Sequence, residues 1–153
     1  MSPFAGPLFA AALLLAGSGV LKVARPTSAA HALRAAGLPG SGTAGRVLGA
    51  AEVVLALAAL AVGGRVTAAL VAACYLGFAA FVLRVRATAG DRAGCGCFGA
   101  EEAPATPLHV VVNLLVAVAA GLAVVRPTRG VVWVTSHTPL AGIPFLGFTA
   151  VLA

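Results

Sequence analysis

Two cysteines one residue apart, Cys95 and Cys97 in the stretch RAGCGCFGAEEAP at 92–104, are the residues whose type and spacing most directly suggest chemistry. Gly94, Gly96 and Gly99 free the backbone around them, so both thiols can be presented to nearly the same place. A disulfide across one intervening residue is near the limit of allowed Cα separation and is strained, and a strained bond exchanges readily. Arg92 is close enough in sequence to favour a thiolate. The same two soft ligands could instead hold Cu(I) or zinc, with His109 as a third donor, although two cysteines alone leave a zinc site incomplete. A loop of roughly 20 residues in so compact a chain argues against two unrelated thiols.

A second candidate is Glu52, in GRVLGAAEVVLALAAL. A carboxylate inside an apolar helix is costly and needs a partner, for which Lys22, Ser18 and the backbone of the glycine-rich cysteine loop are candidates. The bland alternative is a carboxylate hydrated near the interface. Cys74 stands alone in another apolar run, where a thiol behaves as a small hydrophobe, and it reads as packing.

The elements that must position these groups are membrane helices. The chain has 153 residues, 61% of them hydrophobic and 9% charged, against about a quarter charged in soluble domains. Apolar runs of about 20 residues, enough to cross a hydrocarbon core, recur four times: about Phe4 to Val23, Ala44 to Val62, Val66 to Leu83, and Pro107 to Val125. Pro107 falls in a first helical turn, where proline is tolerated. A signal peptide would carry positive charge before its apolar run, whereas Lys22 and Arg25 follow the first run here, so that run reads as a retained span.

The expected fold is therefore an all-α, antiparallel four-helix transmembrane bundle over residues 1–130, with an apolar tail over 131–153. The tail leaves room for a short fifth segment, but Pro139, Gly142, Pro144 and Gly147 interrupt it. Gly45 and Gly49 at GxxxG spacing, and GSG at 17–19, suit close helix packing. Trp133 suits an interfacial anchor. The formal charge of +6 sits at helix ends and in loops, which points to lipid headgroups and topology rather than nucleic acid. Lys22, Arg25, Arg34 and Arg46 mark the first loop, and Arg84, Arg86 and Arg92 the third, so the positive-inside bias predicts a cytoplasmic cysteine pair in a multi-pass cell-membrane protein.

SGVLKVARP at 18–26, AAGLP at 35–39, the intramembrane Glu52, CGCFG at 95–99 and an apolar span with Asn113 together resemble the methylamine utilisation protein MauE family, grouped with DoxX-like redox-associated membrane proteins. The resemblance covers about residues 10–125. It implies a four-helix membrane protein of thiol–disulfide redox that helps methylamine dehydrogenase reach its disulfide-rich state. Carried over by position, the implied residues are Lys22, Pro26, Glu52, Cys95, Cys97, Phe98, Gly99 and Asn113, with Gly96 between the thiols. One departure is Val112, where relatives have a basic residue before the asparagine; His109 lies a turn earlier. Maturation of an exported dehydrogenase would want the thiols outside, opposite to the side the arginines predict.

The reading these residues support is an accessory redox component whose Cys95 and Cys97 cycle between dithiol and disulfide with a thioredoxin-like partner, without a cofactor. Its alternatives are a soft-metal or small-solute module using Cys95, Cys97 and His109, and a structural subunit.

Overall fold

The computed structural model describes residues 5–90, 104–130 and 132–133. Five helices account for most of them: α1 (Ala5–Ala24), α2 (Pro26–Ala35), α3 (Gly42–Ala61), α4 (Gly64–Ala89) and α5 (Pro107–Val125). All but α2 are long and apolar enough to cross a bilayer, so the described residues form an all-α membrane bundle of four spans with a short extra helix. Cys95, Gly96, Cys97, Phe98 and Gly99 lie outside the described residues, as does the tail from 134 onward.

The spans pack as two antiparallel pairs, α1 on α3 and α4 on α5. Leu8, Ala12 and Leu15 of α1, Ala56 and Ala59 of α3, Ala68 and Val71 of α4, and Ala120 and Ala123 of α5 form a common core. Leucine and valine fill the outer faces, including Val54, Leu70, Leu115 and Val118, which is the order expected when the solvent is lipid. Nearly half of the α1 span is buried inside the bundle, 44%, against 17% of α5, so α1 is the central helix and α5 the lipid-facing one.

The apolar run assigned to the third span ended at Leu83, but α4 continues to Ala89. Arg84 and Arg86 end the hydrophobic run without ending the helix. Its 26 residues reach about 39 Å at 1.5 Å per residue, beyond a hydrocarbon core of about 30 Å. The projecting turns serve as a post. Arg84 Nε donates to Ala36 O at 2.7 Å, and the Thr88 hydroxyl donates to Ala35 O, which holds the end of α2. Arg86 donates to Ala105 O at 2.6 Å, which holds the approach to α5.

Helix α2 is a difference from the sequence expectation, which had a loop between the first two spans. Pro26 occupies its first turn, and Ser28, Ala29, Ala30 and Ala32 form its buried face. At 10 residues, and with polar and basic residues on its outer face, the helix falls short of the length and apolarity that mark a span, so a search for apolar runs passes over it. At the opposite end of the bundle, Gly63 and Gly64 turn the chain from α3 to α4 with φ of +67° and +92°. The segment after α5 closes against that turn, Gly64 N donating to Thr128 O at 2.8 Å and Gly130 N to Val62 O at 3.0 Å.

Candidate functional site

Ser18 and Lys22 are four residues apart, so they share one face of α1, the face that meets α3. Two glycines set how close that meeting is. A Cβ on Gly49 would lie 2.5 Å from Gly19 O and 2.9 Å from Lys22 Cβ, and a Cβ on Gly19 would lie 2.6 Å from Gly49 O. Only glycine at both positions permits this backbone approach, which brings the polar face of α1 onto Glu52, one turn beyond Gly49 on α3.

The result is a buried cluster of three polar side chains. Lys22 Nζ donates to Glu52 Oε2 at 2.8 Å in an ion pair whose side chains are 5% and 1% exposed, sealed from solvent and lipid alike. Lys22 also donates to Ser18 Oγ, and Ser18 Oγ donates to the same Glu52 oxygen at 3.1 Å. Helix α4 closes the site with Phe78, whose ring centroid lies 5.2 Å from Lys22 Nζ. Tyr75 meets the edge of Phe78 and donates its hydroxyl to Ala11 O at 2.7 Å, tying α4 to α1 beside the pair. Cys74 packs half-buried against the common core, within electrostatic reach of Glu52 and Lys22.

Lys22 and Ser18, two of the partners expected for Glu52, are bonded to it, while the third, the backbone of the cysteine loop, lies outside the described residues; a carboxylate hydrated at the interface is not what the structure shows. Phe78 and Tyr75 were missed. Their signal was the i, i+3 spacing on one face of α4, which composition alone does not distinguish from packing.

Helix α5 sends nothing to this cluster among the described contacts. Asn113, half-buried, donates to His109 O at 2.6 Å, a bond inside its own helix. His109 is engaged at the helix start, its Nδ1 accepting from Thr106 N at 3.3 Å and lying 2.8 Å from Thr106 Oγ1. With Nδ1 accepting, the neutral ring carries its proton on Nε2, so ligating a metal through Nε2 would compete with this cap. Among the described residues no three His, Cys, Asp or Glu side chains gather closely enough to hold a metal ion. Pro26, also implied by the resemblance, starts α2 and lies under Gly45, where a Cβ would sit 2.8 Å from Pro26 O.

Four apolar spans around one buried Lys–Glu pair, with a short helix covering one end, define a multi-pass membrane protein with an intramembrane polar centre. Comparison with known families is more specific. The family model of methylamine utilisation protein MauE matches residues 3–126, most of the chain, and the chain belongs to that family. No curated protein and no solved structure matches it significantly.

Proposed function

We propose that this chain is a membrane thiol–disulfide accessory protein serving methylamine utilisation, in which Cys95 and Cys97 exchange a disulfide with a thioredoxin-like partner. The observation that carries this reading is the family match, whose span of residues 3–126 includes the CGCFG stretch. The bundle adds support. The described residues on either side of that stretch, Gly90 and Pro104, both lie at the end of the bundle where Arg86 of α4 holds Ala105. Exchange proceeds by attack of one thiolate on a partner disulfide, giving a mixed disulfide that the second thiol resolves. Two electrons pass, and no other oxidant is needed.

Arg25, Arg34, Arg46, Arg84 and Arg86 belong to this end, against Arg65, Arg126 and Arg129 at the other, which supports placing it in the cytoplasm. A membrane-impermeant maleimide added to intact, reduced cells should then leave Cys95 and Cys97 unlabelled until the membrane is permeabilised. Labelling of intact cells reverses the orientation and favours maturation of an exported partner.

The deciding experiment equilibrates the purified protein with glutathione or dithiothreitol buffers and reads the thiols by alkylation and mass. A dithiol–disulfide transition of the pair, and a Cys97→Ser variant that traps a mixed disulfide through Cys95, are the expected results. Thiols that stay reduced across all buffers, or that co-purify with stoichiometric Cu(I) or zinc, exclude the redox role.

A further inference from the structure

The two oxygens of Glu52 are not alike. Oε2 receives both Lys22 and Ser18, whereas Oε1 is buried and has no hydrogen-bond partner among the described residues. A buried polar atom is nearly always paired, and an unpaired carboxylate oxygen in a span is among the costlier exceptions. The stem of Glu52 is closely packed, since a Cβ on Gly19 would lie 3.0 Å from Glu52 Cβ and 2.8 Å from a methyl of Val53. A proton is the ligand that needs no volume.

We infer that Glu52 is a proton-binding site within the membrane, taking up a proton on the oxygen that Lys22 and Ser18 leave unpaired. The groups that face it are few. Helix α1 contributes the Lys22 ammonium and the Ser18 hydroxyl, and α4 contributes the Cys74 thiol and Tyr75 phenol within electrostatic reach. No charged side chain of α2 or α5 pairs with it among the described residues. Uptake of one proton neutralises the carboxylate and cancels the ion pair. Lys22, two residues from the end of α1 at Ala24, then loses its counter-charge, and its stem is long enough to carry the ammonium toward the headgroups. Proton binding thereby loosens the α1–α3 contact at the end of the bundle covered by α2. The inference stands on the described helices and does not require the cysteine pair to turn over.

The test is infrared difference spectroscopy on the full chain in lipid nanodiscs, stepped between about pH 4 and 9. It is run in a Cys95→Ser, Cys97→Ser background, so that its outcome is separable from that of the thiol reading. A carboxylic C=O band that appears as pH falls, moves down in D2O and is missing from Glu52→Gln is the expected result, with one proton fewer taken up per chain by the variant. Identical difference spectra for parent and Glu52→Gln overturn the proposal. Should Glu52→Gln fail to assemble, Ser18→Ala decides: loss of a donor to Oε2 should move the band's frequency, and an unmoved band assigns the titration to another carboxyl.

Discussion

The α1–α3 seam and the α4–α5 seam both join apolar helices through small residues, but they hold by different means. Between α1 and α3, Gly19 and Gly49 bring the backbones together and the contact is completed by a buried ion pair and a hydroxyl. On α4 and α5, the buried residues include Ala68, Val71, Ala79, Val82, Ala117, Ala120 and Ala123 and no charged side chain, and the half-buried Gly121 has no neighbour within 4 Å of where its Cβ would be. Without hydrophobic drive between helices in lipid, either seam gains chiefly by packing. Only the first also fixes a register, because a shift of one residue would separate Lys22 from Glu52 and leave two charges buried apart. The contrast separates a general way of packing helices from a place where chemistry has been positioned.

Removing one charge should break the contrast most severely. Lys22→Met leaves the Glu52 carboxylate buried without its cation, for which a loss of about 3–5 kcal/mol is expected in reversible unfolding from bicelles. The double variant Lys22→Met, Glu52→Met should recover most of that, since a buried pair adds little net stability over apolar side chains of similar size. If the single variant matches the parent, the pair does not hold the seam.

Steric change comes next. Gly49→Ala must push Gly19 O and Lys22 away and should destabilise by about 1–3 kcal/mol, whereas Gly121→Ala meets open space and should stay within about 0.5 kcal/mol of the parent. Equal effects at the two glycines would remove the distinction between the seams. Smaller again, Tyr75→Phe loses the buried bond to Ala11 O, with an expected cost of about 1 kcal/mol and no change in helix content by circular dichroism.

The fold was largely legible because bilayer thickness sets the length of an apolar run. Pro107 and Arg126 bracketed α5 so clearly that its expected and observed bounds coincide. The ends of α4 were not legible, because Arg84 and Arg86 stop hydropathy while the backbone continues to satisfy its hydrogen bonds as helix. Helix α2 stayed hidden because it is too short and too polar to register as an apolar run. At the site, the spacing of Ser18 and Lys22 and the depth of Glu52 named the partners, and SGVLKVARP at 18–26 turns out to be one device: Ser18 and Lys22 bind Glu52, Gly19 admits α3, and Pro26 starts α2. What spacing could not supply was the third wall. The roles of Tyr75 and Phe78 depend on how α4 is rotated, and that is fixed by packing over the whole bundle.

The smallest expected effect concerns Asn113, the residue on which family resemblance and geometry differ most. The resemblance groups it with Lys22 and Glu52, yet its amide donates to His109 O one turn back on α5, and Val112 before it offers no cation. A polar side chain bonded within its own helix in lipid has met its requirement locally, so it neither depends on the buried pair nor supports it. Asn113→Leu should therefore alter stability by no more than about 0.5 kcal/mol. It should also leave the pH-dependent carboxyl band of Glu52 unmoved in frequency and midpoint. A shift of that band in Asn113→Leu would show that α5 reaches the polar centre after all. The division between a positioned α1–α3 seam and a merely packed α4–α5 seam would then fall.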